Sequence, residues 1–216
     1  AFDADSALGS DTLVETATTA GGVDLLDFSA TTNVGVTLDL ALTTVQVVNV
    51  NLSLALSSGA ALEMAVGTAK NDTIRGNALA NVLFGGAGLD VLYGLAGRDL
   101  LVGGSGADTL SGDDDDDIVI ADLTTYYSEA AKILDRLAIA AIMAEWVRTD
   151  VDYGTRVNNL RNGGGLNGTF KLNNLTVLTD GTAIDALTGG SALDWFWKSG
   201  NDAISDLNAG GAETVN

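Results

Sequence analysis

The sequence predicts a mainly β chain wound as a solenoid, with one helical interruption. Three features carry that expectation. A nine-residue repeat runs without a gap through the middle of the chain, strand-like alternation precedes it, and a run of helix formers follows it. Composition agrees. Of 216 residues 27 are Gly and none is Pro, and apolar residues make up 46%. That is too apolar for a disordered chain, and a Gly-rich fold without Pro implies many tight turns built on left-handed glycines.

Residues 1–66 lack the repeat but alternate. Val36, Leu38 and Leu40 are spaced by Thr37 and Asp39, and Val48, Val50, Leu52, Leu54 and Leu56 are spaced by small or polar residues. This is strand periodicity with one buried face. Leu25–Ser29 reads as a further strand. The expected arrangement is a set of wider solenoid rungs that stack on the repeat block and cap it; a small separate β-sandwich is the alternative.

From Gly67 the chain divides every nine residues into GTAKNDTIR, GNALANVLF, GGAGLDVLY, GLAGRDLLV, GGSGADTLS and GDDDDDIVI, ending at Ile120. Position 1 is always Gly. Position 6 is Asp72, Asn81, Asp90, Asp99, Asp108 and Asp117. Position 8 is Ile74, Leu83, Leu92, Leu101, Leu110 and Val119. The first six residues of each unit form a turn and the last three a short strand. Only the middle strand residue points inward, so position 8 is apolar, while positions 7 and 9 point outward and vary. Glycines in the turn allow carbonyl oxygens to converge, and the position 6 carboxylate adds charge. Carbonyl plus carboxylate oxygen is the hard donor set that suits Ca²⁺.

The units Gly85–Tyr93 and Gly103–Ser111 match G-G-x-G-x-D-x-U-x at every fixed position. The block therefore resembles the RTX (repeats-in-toxin) proteins. That resemblance implies a right-handed parallel β-roll over 67–121, with two nonapeptides per coil and calcium held between turns two repeats apart. It implies metal sites at Asp72/Asp90 and Asp90/Asp108 on one side and at Asn81/Asp99 and Asp99/Asp117 on the other. The turn residues Gly85, Ala87, Gly94, Gly103, Ser105 and Gly106 would contribute too, and four or more ions are expected. Asn81 lacks the charge of Asp, and Lys70 and Leu79 stand where position 4 is usually Gly, so the first coil is a weak or empty site. In the last unit Asp113–Asp116 are either extra ligands or a solvated charge cluster.

Residues 122–165 break the pattern and form the helical insertion after the first block. Ser128 is the expected N-cap of a helix running to Arg148, with Ile133, Leu137, Ala140, Ala144 and Val147 as its stripe. Leu137–Ala144 is apolar all round, so the helix is buried on more than one side, against the roll or against a partner chain. A second helix is expected over Asp152–Arg161, ended by Gly163–Gly165. In 166–216 the nine-residue register returns at Asp180–Thr188 and Gly189–Trp197, followed by a shorter unit. This is a second, degenerate block with a terminal cap. Asp185, Asp194 and Asp202 are its candidate metal ligands; the other reading is ordinary turn Asp. Trp195 and Trp197 point outward, under the helix or as a patch for a partner.

The net charge of −19 argues against nucleic acid, because nothing would neutralise phosphate. Cys and His are absent, which removes disulfides, thiolate chemistry and imidazole bases. The acids are accounted for by the metal ladder, so no catalytic role is expected. No stretch reads as a membrane helix. The start is acidic, without Met or an apolar leader, and suggests a piece of a longer protein. The resemblance implies a secreted, cell-surface bacterial protein. Its role would be structural or adhesive, with self-association or other surface proteins as partners. The alternative it implies is a C-terminal type I secretion and folding module, since residues 204–213 are similar to the ends of such proteins.

Overall fold

The computed structural model describes residues 2–14, 23–207 and 213–216. Before the repeat come β1 Gly9–Leu13, β2 Leu25–Asp27, β3 Thr37–Asp39, β4 Gln46–Asn49, β5 Leu52–Leu56 and β6 Met64–Val66. The repeat supplies β7 Thr73–Arg75, β8 Val82–Ala87, β9 Val91–Ala96, β10 Leu100–Ser105, β11 Thr109–Asp114 and β12 Ile118–Ile120. Next are β13 Leu123–Thr124, β14 Tyr127–Ser128, β15 Ile133–Leu134, α1 Arg136–Trp146, α2 Tyr153–Asn162 and β16 Val177–Leu178. The chain ends with β17 Ala186–Gly190, β18 Trp195–Trp197, β19 Ala203–Ile204 and β20 Thr214–Val215.

Successive repeat units alternate between two parallel sheets. One is ordered β2-β6-β8-β10-β12-β18-β20, the other β19-β17-β11-β9-β7-β3. Every turn therefore crosses from one sheet to the other. Position 8 stacks on position 8 in strict register: Leu83 on Leu101, Leu101 on Val119 and Val119 on Phe196 in one sheet. In the other, Ile74 stacks on Leu92, Leu92 on Leu110, Leu110 on Leu187 and Leu187 on Ile204. These side chains meet between the sheets as one thin core, which Leu26, Leu38 and Leu40 extend. A one-residue slip would turn the whole apolar column to the outside, so the alternation sets the register.

The second stretch of nonapeptides is not a separate roll. β17 pairs with β11, and β18 with β12, across the long segment between them. At the other end β3 pairs with β7 and β2 with β6, while β1, β5 and β4 form a third sheet. The expected alternation through Val48–Leu56 is broken at Val50, which is 87% exposed at the reversal between antiparallel β4 and β5.

The two outer faces of the roll differ. On the sheet of β6, β8, β10, β12 and β18, positions 7 and 9 are apolar and buried: Val82, Phe84, Leu100, Val102, Ile118, Ile120, Trp195 and Trp197. They pack against Ala138, Ile139, Ile142 and Trp146 of α1 and Val157 and Leu160 of α2. Both outward Trp are thus covered within the chain. On the other sheet the same positions hold residues such as Arg75, Tyr93, Thr109 and Ser111, partly or fully exposed.

The first helix is shorter than expected and turned the other way. Ser128 does not cap it. The Ser128 hydroxyl accepts the Ala131 N–H at 3.2 Å and its carbonyl accepts the Lys132 N–H at 2.7 Å, after which Lys132 takes φ +57° and the chain reverses into the hairpin β14–β15. Asp135 is the N-cap, accepting from Ala138 N at 3.0 Å. The expected stripe faces outward: Leu137 is 72% and Ile133 65% exposed. Because 137–144 is apolar on all sides, the sequence could not choose the buried face; Trp146 and the N-cap at Asp135 choose it. α2 begins at the N-cap Asp152 and ends at Gly163, φ +82°. Among the described residues no helix is long and apolar enough to cross a membrane.

Candidate metal centre

The position 6 carboxylates form two ladders along the edges of the roll. On one, Asp72 N–H donates to Asp90 Oδ1 at 2.7 Å, Asp90 N–H to Asp108 Oδ1 at 2.8 Å, Asp108 N–H to Asp185 Oδ1 at 2.6 Å and Asp185 N–H to Asp202 Oδ1 at 3.0 Å. On the other, Asn81 N–H donates to Asp99 Oδ1 at 2.6 Å, and Asp99 and Asp117 N–H donate to Asp117 and Asp194 Oδ1, both at 2.8 Å. The spacing is 18 residues within the first block and 77 across the helical segment. The pairing two repeats apart is therefore observed, and the ladders continue into Asp185, Asp194 and Asp202.

In six of these carboxylates one oxygen is thereby used and the other is not. Oδ2 of Asp90, Asp99, Asp108, Asp117, Asp185 and Asp194 is buried without a hydrogen-bond partner. Buried polar atoms are otherwise nearly always satisfied, and a buried unpaired carboxylate is costly. Burial raises these groups above the usual carboxylate range: Asp108, Asp185 and Asp194 to about 7, Asp90 to about 8, Asp99 to about 9 and Asp117 to about 10. Neighbouring acids push in the same direction. The ion pairs found among the described residues use Asp39, Asp116, Glu145 and Asp150, and none involves a ladder carboxylate. What the ladders call for is a hard cation.

The turns are shaped for one. Position 1 has no Cβ because its place is taken. A Cβ at Gly85 would meet Asp90 Oδ2 and the Gly103 carbonyl oxygen, both at 2.6 Å; Gly94 likewise meets Asp99 Oδ2 and the Gly112 carbonyl. The carboxylate of one unit and the position 1 carbonyl of the unit two further on thus share one small space, which places the candidates Gly85, Gly94 and Gly103. In the units that begin at Gly85, Gly94, Gly103, Gly112 and Gly189, positions 2 and 4 take positive φ even where the residue is not Gly: Leu95 +82°, Asp113 +76°, Asp115 +75° and Ala192 +77°. A non-Gly side chain is held there only when its surroundings require it. Ala87, Ser105 and Gly106 lie on the same turns but are engaged through their N–H groups, with Thr68 O, Glu129 and Asp180.

The first coil is different. Asp72 Oδ1 accepts Val36 N–H at 2.6 Å and the Thr68 hydroxyl at 3.0 Å, and Oδ2 accepts Thr68 N–H at 2.6 Å. Asn81 Oδ1 accepts Asn77 N–H at 2.7 Å, and its amide donates to Leu62 O. Protein donors fill these turns, and Asp72 rises only to about 6. Thr68 and Asn77 at position 2 were the sequence signal, read there only through Lys70, Leu79 and Asn81.

A family model for the RTX calcium-binding nonapeptide repeat (4 copies) matches residues 66–101 and 93–123. Residues 66–123 are thus a block of RTX calcium-binding repeats. No curated protein matches the chain. The RTX match ends before the helices, which the ladders nonetheless bracket.

Within the acidic run of the last matched unit, the residues divide. Asp116 is a docking residue. Its carboxylate pairs with buried Arg156 and accepts Leu193 N–H at 3.1 Å, and its carbonyl accepts Trp146 Nε1–H at 3.1 Å. Arg156 in turn lies over the Trp146 ring, 4.7 Å from its centroid. Asp113 accepts from Ser111, Asp114 from Ser191 and Asp115 from Gly97 N–H. Sequence reasoning missed Asp122, Glu129 and Asp180. Counting one unit beyond Ile120 would have placed Ala121 and Asp122 at positions 1 and 2 of a seventh turn.

Proposed function

We propose that the protein is a calcium-dependent structural module of a secreted or cell-surface bacterial protein, in which Ca²⁺ bound along both ladders holds the roll folded. The observation that carries this is the column of six buried Oδ2 atoms without hydrogen-bond partners; those of Asp90, Asp99, Asp108 and Asp117 each lie beside a turn carbonyl, and none of the six carboxylates is in an ion pair among the described residues. The ligands would be Asp90, Asp99, Asp108, Asp117, Asp185 and Asp194, with turn carbonyls such as those of Gly103 and Gly112; Asp202 would close one ladder. Asp72 and Asn81 would contribute least, because their oxygens are already engaged. Such a chain would stay unfolded where calcium is scarce and fold outside the cell, since binding free energy is then folding free energy.

One face supports the adhesive or self-assembling part of this reading. Helices cover one outer face of the roll, while the other presents Arg75, Tyr93, Thr109 and Ser111 to solvent. We assign no catalysis to this chain. The similarity of residues 204–213 to exported ends falls partly outside the described residues. Far-UV circular dichroism and size measurement during a calcium titration test the proposal. Cooperative folding upon Ca²⁺ addition is expected; a chain equally folded in chelator overturns it, and a monomer at all calcium levels removes self-assembly.

A further inference from the structure

Helix α1 is covered on one side only. Ala138, Ile139, Ile142 and Trp146 are buried against the roll and α2. The outer side presents Leu137, Ala140, Ala144 and Val147, all exposed, Leu137 by 72% and Val147 by 40%. From Leu137 to Val147 the single charged residue is Glu145, and it is buried. The solvent side of a surface helix ordinarily carries charge, and this chain has a net charge of −19. An outer helix side without one exposed charge is a contact surface.

The surface has depth. Ile139, Ala140, Met143, Ala144 and Val147 form one wall of a cavity of about 380 Å³, and Met64 and Val82 of the roll form the other. The face and the cavity share Ala140, Ala144 and Val147, so together they make one apolar groove along the helix. Ala at both central positions lets another helix approach closely, with larger side chains entering the groove beside it.

The face also says what covers it. Leu137, Ala140, Ala144 and Val147 are spaced three, four and three residues apart, the spacing of a helix–helix seam. That spacing reads the same in both directions. Two copies of α1 laid antiparallel about a two-fold axis therefore match. Leu137 meets the partner's Val147, Ala140 meets the partner's Ala144, and each contact occurs twice. The charges agree. Arg136 stands at one end of the face, exposed and in no ion pair among the described residues, and Asp150 lies beyond the other end with its side chain 70% exposed. Antiparallel order brings Arg136 towards the partner's Asp150, whereas parallel order sets like charge on like.

We propose that this groove seats a second copy of the chain, α1 packing on α1 as an antiparallel two-fold pair. The inference rests on the self-association part of the proposed function and gives it a surface on the helical side, away from the open sheet. It needs nothing from the identity of the ions. One helix face is small beside the roughly 800 Å² per partner of a standard interface, so the pair is reversible and concentration-dependent.

Sedimentation velocity of the full chain in saturating Ca²⁺, over a concentration series, reads the pair. The wild type is expected to pass from monomer to dimer. Ala140 is exposed in the single chain, so Ala140→Glu should keep the circular dichroism of the wild type and remain monomeric, because pairing would bury its charge. Leu137→Gln should weaken the dimer by about tenfold, and serves if the first variant does not fold. Thr109→Glu, on the open sheet, should dimerise as the wild type does. The chain has no Cys, so Leu137→Cys and Val147→Cys chains mixed in equal amounts under mild oxidation should give the mixed disulfide in excess over either symmetric one. A dimer that survives Ala140→Glu, or that Thr109→Glu dissociates, or symmetric disulfides in excess, overturns the seam while self-association stands. A wild-type chain still monomeric at about 1 mM overturns both.

Discussion

Stripping calcium at different pH should expose how the ladder works. A carboxylate whose folded pKa is raised binds more protons folded than unfolded, so stability falls as pH rises. For Asp90 the fall starts near its unfolded value of 3.8 and continues to about 8; for Asp108, Asp185 and Asp194 it ends near 7. Each pH unit inside that window costs about 1.4 kcal/mol per group. Between about pH 5 and about pH 8, Asp90 alone therefore costs about 4 kcal/mol, and each of the other three about 3 kcal/mol. A domain is stable by only about 5–15 kcal/mol, so a few of these groups suffice to unfold the metal-free roll at the higher pH. Urea unfolding of EDTA-treated protein, followed by circular dichroism, measures this directly. The metal-free chain should be folded near pH 5 and largely unfolded near pH 8, with calcium restoring most stability at the higher pH. Equal metal-free stability at the two pH values would refute the reasoning, because it would mean that the buried oxygens carry no ionisation penalty.

Further outcomes follow from single side chains. Asp108→Asn keeps the acceptor for Asp90 N–H and removes the charge, so it should raise metal-free stability at neutral pH and lower the calcium count; stability by urea titration and stoichiometry by mass spectrometry should move oppositely. Gly94→Ala would drive a methyl group into Asp99 Oδ2 and the Gly112 carbonyl and should cost about 2–4 kcal/mol of the calcium-bound state, read from its thermal midpoint. Asp116→Ala leaves Arg156 buried and unpaired, at about 3–5 kcal/mol, yet should leave the calcium count unchanged, which separates docking from ligation. Trp146→Ala should cost about 3–5 kcal/mol and expose Trp195, seen as a red shift of Trp emission.

The nonapeptide was legible because its period is local. Gly at position 1, an acid at position 6 and an apolar residue at position 8 each answer a constraint within nine residues or between stacked neighbours, so the thin core of Ile74, Leu83, Leu92 and Leu101 could be read directly. The donor set of the ladder was legible for the same reason. The second block was recognised by register at Asp185 and Asp194, but its place was not: only the pairing of β17 with β11 shows that one ladder crosses 77 residues. Helix α1 lay outside what periodicity can decide, since an all-round apolar run has no preferred face until Trp146, Arg156 and Asp116 lock one.

The sequence by itself determined the repeating unit, its inward column and the places of the position 6 oxygens. The tertiary structure alone decided that one outer face of the roll is a second core, that Asp116 is a dock and that α1 turns Leu137 outward. The physical reason is range. A nonapeptide states its own local geometry, whereas burial of an outer face and the buried side of a helix exist only once the chain has closed on itself.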